Sequence, residues 1–160
     1  MTDAELAADI AVEAGELLLR VQRCGLAGSA LGDCGDADAN ALILERLRIE
    51  RPNDSVLSEE SQDDLARCTA RRVWIVDPLD GTREFVEGRG DWAVHVGLSI
   101  DGAPAAGAVA LPSRRLVLVS DSPPTRPLVR TPPRIAVSRA RPPVVATRLA
   151  AALGGTLLPM

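Results

Sequence analysis

The sequence predicts an α/β fold of alternating layers, in which helices pack on a mainly antiparallel sheet. Apolar residues recur near helical spacing over residues 1–51, and short β-branched or alternating runs follow from residue 72 onward. The chain has 160 residues, of which 46% are hydrophobic and 25% charged, enough to fill a core and to cover it with polar surface. Length and pattern together indicate a layered α/β protein.

Two helices are predicted at the start of the chain. Thr2 and Glu5 form a capping-box pattern, which begins a long amphipathic helix that ends at Gly25–Gly28. A second helix is predicted at about Ala37–Arg51 from its apolar spacing, and it should end there because Pro52 follows directly. The intervening "GSALGDCGD" is polar and rich in glycine, and it is therefore predicted to be a loop.

Five strands are predicted after the helices. They are "SVL" (55–57), "RVWIV" (72–76), "WAVHVGLSI" (92–100), "PAAGAVALP" (104–112) and "RLVLVSD" (115–121). A short polar helix, "SQDDLARC", is expected between the first two, and the second strand is expected to end at Asp77. "DG" at Asp101 and Gly102 is a turn signal, so the last three strands should form a meander. His95 falls on the polar face of its strand, and we expect an ordinary sheet-face histidine because the sequence places no partner beside it.

The chain is expected to contain one domain and the beginning of another. Residues 1–121 form the predicted N-terminal domain, and the proline-rich residues 122–133 form a stiff connector. Residues 134–160 predict a strand, a helix and the start of a further strand, which is too little for an independent domain. We therefore expect a second α/β domain that is cut short.

Composition argues against several classes of function. All 18 basic residues are arginine, they face 22 acidic residues for a net charge of −4, and no basic cluster occurs. Nucleic-acid and acidic-membrane binding are therefore not expected. The N-terminus is acidic and no apolar run is long enough for a membrane span, which predicts a cytoplasmic protein. The three cysteines lack paired spacing and His95 is the only histidine, so a metal site of Cys and His ligands is not expected.

Two aspartates at the end of a predicted strand are the first candidate site. Asp77 and Asp80 flank Pro78, which stiffens the turn. Carboxylates held close together repel one another unless a cation lies between them, and an all-oxygen ligand set suits Mg²⁺, or Mn²⁺ as a substitute. On this stretch alone, an acidic cap for the following helical turn explains the aspartates as well as a metal site does.

Further polar residues stand at the ends of other predicted elements. Glu59 and Glu60 follow the first strand, and Asp36 stands at the predicted entrance of the second helix. Gly81 and Thr82 begin a predicted helical turn whose backbone N–H groups could hold phosphate oxygens. Taken singly, paired glutamates indicate a solvated surface and Asp36 a helix cap. Taken together, they could converge on one site.

These motifs resemble the inositol monophosphatase superfamily of Mg²⁺-dependent phosphatases. The resemblance rests on "GD" at Gly35–Asp36, "SEES" at Ser58–Ser61 and "WIVDPLDGT" at Trp74–Thr82, in the family's order and at similar intervals. "DGTREF" is most similar to the CysQ branch of 3′-phosphoadenosine 5′-phosphate phosphatases, and "VSRAR" at Val137–Arg141 supports it more weakly. The chain corresponds to about the first three-fifths of a family member.

The resemblance implies a role for each matched residue. Two or more Mg²⁺ ions would be bound: one by Glu59, Asp77 and the Leu79 carbonyl, and a second by Asp80 together with Asp77, which would bridge the two. Asp36 and Thr82 would polarise the attacking water, and Glu60 would support them. The substrate phosphate would be bound by Glu59, Asp80, Gly81 and Thr82, and contacts to the rest of the substrate are expected from Ser138 and Arg139.

The resemblance also implies an activity, with alternatives that the sequence leaves open. The expected reaction is hydrolysis of a small phosphate monoester, 3′-phosphoadenosine 5′-phosphate to AMP and phosphate, as in sulfate assimilation. Inositol monophosphatase and fructose-1,6-bisphosphatase activities are alternatives, as are a truncated remnant that only binds metal and a purely structural domain. The family takes a further metal-ligating aspartate from a Trp-Asp motif that does not occur here. Members of the family commonly form homodimers, which is the remaining expectation about partners.

Overall fold

The computed structural model describes residues 1–63, 65–125, 132–139 and 141–160. The chain divides into two compact units, Met1–Pro124 and Thr125–Met160, and each is described separately. Half of the predicted connector at 122–133, residues 126–131, lies outside the described residues. None of the helices in the described part of the chain is both long enough and apolar enough to cross a membrane.

The first unit consists of three helices and a five-stranded sheet. Its elements are α1 (Asp3–Val21), α2 (Ser29–Glu50), β1 (Ser55–Ser58), β2 (Arg72–Asp80), α3 (Thr82–Val86), β3 (Ala93–Ile100), β4 (Ala103–Leu111) and β5 (Leu116–Val119). The strands lie side by side in chain order; β1 and β2 are parallel, and the other pairs are antiparallel. The predicted layered fold with a mainly antiparallel sheet is confirmed.

The core lies between the helices and one face of the sheet. Helix α1 contacts β3, β4 and β5, while α2 contacts α1, α3 and β2. The predicted capping box at Thr2 and Glu5 is present at the start of α1. The largest buried side chains come from both layers and include Leu6, Ile10, Leu18, Ile43, Leu47, Trp74, Phe85, Trp92, Val94 and Val96. Burial of these side chains is the main force that holds the unit together.

Helix α2 begins eight residues earlier than the sequence predicts (37 − 29 = 8), at Ser29 instead of Ala37. The predicted loop "GSALGDCGD" is therefore wrong, since most of it is the first part of the helix. A Cβ added to Gly32 would lie 3.0 Å from Thr82, and one added to Gly35 would lie 3.0 Å from Phe85. The glycines reflect close packing of α2 against α3, a requirement that outweighs their low helix propensity.

Two other local predictions are corrected. Strand β2 continues to Asp80 instead of ending at Asp77, with a shift in its register against β3 between these two residues. The predicted helix over 61–68 is reduced, in the part that the structure describes, to a 3₁₀ turn at Ala66–Cys68. The Asp63 carboxylate accepts from the backbone N–H of Leu65 at 2.9 Å, and such a local bond competes with helix formation.

The second unit contains the strand, helix and strand that the sequence predicts. Its elements are β6 (Arg134–Val137), α4 (Val144–Ala152) and β7 (Thr156–Pro159). The two strands pair in parallel, which requires a crossover such as the one α4 provides. Pro143 is the N-cap of α4, and Gly154 follows the helix with a left-handed φ of 60°.

Candidate active site

A pocket of about 530 Å³ lies at one end of β1 and β2. It is lined by Leu57, Glu59, Ile75, Val76, Asp77, Asp80 and His95. Ser58 of β1 pairs with Val76 of β2 in parallel register. The residues that follow them in the chain, Glu59 and Asp77, therefore lie side by side. The structure thus brings together three of the predicted metal ligands.

A β-bulge puts Asp80 on the same side of the sheet as Asp77. In a regular strand, residues three apart point to opposite faces. The register shift between Asp77 and Asp80 breaks this alternation. The two residues between the aspartates, Pro78 and Leu79, are buried. The Leu79 N–H donates to Asp77 Oδ1 at 3.1 Å and closes the tight turn inside the bulge. Both aspartate side chains consequently face the pocket.

His95 also belongs to this pocket. It stands opposite Asp77 in the β2–β3 register, and its Nε2 lies 3.2 Å from Asp80 Oδ2. The expectation that His95 has no partner is therefore wrong. Sequence spacing could not reveal the contact, because the bulge in β2 is what brings Asp80 within reach of β3.

Asp36 and Thr82 form a second group next to the pocket. Asp36 lies within α2, close enough to Thr82, the first residue of α3, for Thr82 to oppose the rise in the pKa of Asp36. The Thr82 hydroxyl itself donates to the Leu79 carbonyl oxygen at 3.1 Å. Asp36 Oδ1 is buried and has no hydrogen-bond partner among the described residues. This oxygen is available for a group from outside the chain.

The carboxylates perturb one another. Burial, together with the negative charges of Glu60 and Glu59, raises the pKa of Asp36 to about 6. Hydrogen bonding to Asp77 is the largest cause that raises the pKa of Glu59, followed by burial and by the charges of Asp77 and Asp80. Both shifts have the sign expected when acidic groups are gathered without a cation. Perturbed carboxyls in a cleft indicate a functional site.

The donor atoms fit a hard divalent cation. Glu59, Asp77 and Asp80 line the pocket with carboxylate oxygens, which is the ligand chemistry of Mg²⁺ and Mn²⁺. The Leu79 carbonyl oxygen is engaged by the Thr82 hydroxyl at 3.1 Å, and its role as a ligand stays a prediction. Within the described residues, no three His, Cys, Asp or Glu side chains stand close enough together to hold an ion by themselves. Water or substrate oxygens would have to complete the coordination, as is usual for Mg²⁺.

Two predicted residues belong to the other unit, and one residue of the first unit was not predicted. Ser138 and Arg139 follow β6 in the second unit, and their role as substrate contacts stays a prediction. Sequence reasoning overlooked Asn40, which hydrogen-bonds to Ser58 and Ser61 at the two ends of "SEES". Its one sequence signal was its spacing, a single helical turn after Asp36.

Comparisons with known proteins agree with the geometry. Residues 6–122 match the inositol monophosphatase family. A 3′-phosphoadenosine 5′-phosphate phosphatase of Mycobacterium leprae is 51% identical over 165 residues, covering 93% of this chain and 61% of that protein. A phosphatase of the same name from Mycobacterium bovis is 51% identical over 86% of this chain and 56% of its own length. This chain thus spans about three-fifths of the length of these curated relatives.

Solved structures show the same fold. The extragenic suppressor protein suhB of Bartonella henselae superposes with a TM-score of 0.78 at 23% identity, covering 96% of this chain and 66% of that one. CysQ of Bacteroides thetaiotaomicron, a bacterial member of the inositol monophosphatase family, gives a TM-score of 0.76 at 24% identity, covering 97% and 71%. At these identities the likeness concerns the fold alone. The match over residues 6–122 extends across the carboxylate pocket and the Asp36–Thr82 pair, and the chain belongs to the inositol monophosphatase family.

Proposed function

We propose that this chain carries the metal- and phosphate-binding part of a Mg²⁺-dependent phosphatase that hydrolyses small phosphate monoesters. The observation that supports this most directly is the gathering of Glu59, Asp77 and Asp80 around one pocket, with Asp36 and Thr82 beside it. Carboxylates gathered in this way repel one another, and a bound cation removes the repulsion. Bound Mg²⁺ would neutralise charge on the phosphate and lower the pKa of water.

In the proposed reaction, water attacks phosphorus in line with the leaving oxygen. For this step the Thr82 hydroxyl, which donates to the Leu79 carbonyl oxygen in the structure, would rotate to donate to Asp36 and turn a lone pair of Thr82 Oγ1 towards the attacking water. The P–O bond to the leaving group breaks as the bond to water forms, and the leaving oxygen takes up the proton that the attacking water releases. Glu60 acts through its charge on Asp36, and the Gly81 and Thr82 N–H groups bind phosphate oxygens. Glu59, Asp77, Asp80 and the Leu79 carbonyl would hold the cations.

The proposed preferred substrate is 3′-phosphoadenosine 5′-phosphate, which yields AMP and phosphate. Support comes from the two mycobacterial relatives named for that activity, each 51% identical to this chain. A relative from Mycobacterium bovis named inositol-1-monophosphatase is 40% identical, but over only 51% of this chain. Inositol phosphate is therefore the second candidate, and fructose bisphosphate is the third.

The test is phosphate release by the purified chain with Mg²⁺ from each of the three substrates. We expect release to be fastest from the nucleotide and to be abolished by Asp77→Asn. Asp101→Asn is the matched control, because Asp101 is an exposed acid in the β3–β4 turn and pairs with Arg71. Metal binding without turnover would identify a remnant, and neither binding nor turnover in a folded sample would refute the proposed site.

Finer features of the protein are proposed together with this function. They comprise two or more Mg²⁺ ions with Mn²⁺ as a substitute, a cytoplasmic location, a homodimer, and substrate contacts from Ser138 and Arg139. The number of ions is measurable by calorimetric titration with Mn²⁺, and the oligomeric state by sedimentation. A Ser138→Ala, Arg139→Ala variant should raise KM and leave kcat nearly unchanged if the two residues only bind substrate.

A further inference from the structure

We propose that Asn40 is a positioning residue that holds the turn Ser58–Ser61, and with it Glu59 and Glu60, in place beside the pocket. The inference rests on the proposed function for the roles of the two glutamates. The contacts that carry it are independent of that function, because they join Asn40 to the turn and involve neither metal nor substrate.

Asn40 is bonded to both ends of the turn. The Ser58 hydroxyl donates to Asn40 Oδ1 at 2.7 Å, and Asn40 Nδ2 donates to Ser61 Oγ at 3.0 Å. A carboxamide is suited to this arrangement because it carries an acceptor and a donor in one planar group. The side chain therefore fixes the separation between the two serines.

The Ser58 hydroxyl, which is bonded to Asn40, also accepts a hydrogen bond from the backbone that carries the glutamates. The Glu60 N–H donates to Ser58 Oγ at 3.3 Å, and the Ser61 N–H donates to the Ser58 carbonyl oxygen at 3.3 Å. Ser58 is only 5% exposed, so its hydroxyl would be costly to leave without a partner. Glu59 and Glu60 have exposed side chains, and their positions depend on the backbone of this turn.

Helix α2 thereby positions two parts of the proposed site. Asp36 and Asn40 are one helical turn apart and lie on the same face of α2. Asp36 reaches Thr82, while Asn40 reaches the turn after β1. A single rigid element thus sets the distance between the Asp36–Thr82 pair and the glutamates, which favours a positioning role over one of stability alone.

The first measurement is backbone hydrogen exchange of the full chain without metal or substrate. In Asn40→Ala we expect the Glu60 and Ser61 amides to exchange about tenfold faster, since the two hydrogen bonds that hold the turn are lost, while amides in α1 and β3 are unchanged. Asp38→Ala is the matched control, because it also truncates a polar side chain of α2, one whose hydrogen bond is to Cys34. It should leave the turn protected.

The second measurement is Mn²⁺ affinity by calorimetry. Loss of an outer support of a ligand typically weakens metal binding by about tenfold or more, and Asn40→Ala should do so, whereas Asp38→Ala should not. Ser61→Ala removes the hydrogen bond between Asn40 and Ser61 by deleting its acceptor. Its effects should be smaller and should not add to those of Asn40→Ala in the double variant.

Each outcome bears on the proposal. Unchanged exchange of the Glu60 and Ser61 amides in Asn40→Ala, or equal acceleration throughout the chain, would overturn the positioning role. If Asn40→Ala does not fold, Ser61→Ala and Asn40→Asp, which keeps the acceptor for Ser58, answer the same question. A wild-type chain whose turn is protected from exchange but which shows no turnover would refute the phosphatase proposal. The positioning of the turn by Asn40 would still stand.

Discussion

Gly35 of α2 lies against Phe85 of α3 so closely that a Cβ added to the glycine would come within 3.0 Å of the phenylalanine ring. The same Cβ would lie 3.2 Å from Leu79 and 3.3 Å from Leu18. This approach brings the next residue, Asp36, close enough to Thr82 for the two side chains to interact. The glycine is thus a requirement of the site as well as of the core.

The first prediction concerns this contact. Gly35→Ala should lower the free energy of unfolding by about 1–3 kcal/mol, because overpacking outweighs the gain of about 1 kcal/mol in helix propensity. Urea denaturation measures the change. Ala41→Gly, at an exposed position of the same helix, calibrates the propensity effect. A more stable Gly35→Ala variant would show that α2 can move away from α3 at little cost.

The second prediction concerns the buried indole of Trp74. Its Nε1–H donates to Asp54 Oδ2 at 2.9 Å, and Asp54 also pairs with Arg72. Asp54→Ala should cost about 1–3 kcal/mol, because a buried donor loses its acceptor. Arg71→Ala is the control, since its exposed pair with Asp101 should contribute at most about 0.5 kcal/mol. Equal losses in urea denaturation would argue against a special role for Asp54.

The third prediction is a pH dependence that originates at Asp36. Its pKa of about 6 in the folded chain lies above the ordinary value of 3.8, so the carboxyl favours folding at low pH and loses this advantage as pH rises through 6. Without metal, Asp36→Asn should be more stable than wild type at pH 8 and no different below about pH 4. Solvent screens this half-buried group, so we expect a gain of about 1 kcal/mol.

Thermal denaturation in the presence of a chelator measures this difference between Asp36→Asn and wild type. The same variant should lose phosphatase activity with Mg²⁺, because the Thr82 hydroxyl would no longer be oriented by a carboxylate. A variant that is less stable than wild type at pH 8 would contradict the inferred repulsion from Glu59 and Glu60.

The fourth prediction concerns the contact between His95 and Asp80. His95→Leu should weaken Mn²⁺ binding by up to about tenfold, since a ligand that loses its hydrogen-bonding partner is less well oriented. His95→Gln should restore most of the affinity, because the Gln amide can donate from a similar position. Val109→Ala alters the residue that pairs with His95 from β4 and should have no effect.

His95 is the only histidine in the chain, so the spectrum of a ¹⁵N-labelled imidazole reports this contact alone. Addition of Mg²⁺ should shift that resonance in wild type and not in Asp80→Asn. An imidazole resonance that is indifferent to both changes would show that the contact does not form in solution.

Much of the site was evident from residue types and order. Asp77, Asp80, Glu59 and Asp36 stand at intervals typical of the family, although Asp77 lies within β2 and Asp36 within α2, and not at the ends of these elements as predicted. The meander from residue 93 onward was also predictable, because strict alternation and an "Asp-Gly" turn are local signals. Local signals of this kind depend on near neighbours in the chain.

The start of α2 was not predictable from such signals. Glycine lowers helix propensity wherever it occurs, so "GSALGDCGD" has the composition of a loop. What makes it helical is the close approach of Thr82 and Phe85, about fifty residues away in the chain, a contact that no local rule describes.

By itself the sequence determined the family, the order of the elements and the identity of the carboxylates, because these depend on residue type and short spacing. The tertiary structure alone decided which side chains meet. The bulge in β2 put Asp80 beside His95, and the packing of α2 put Asn40 between the two serines of "SEES". These contacts depend on where distant segments lie in space, and that is set by core packing across the whole unit.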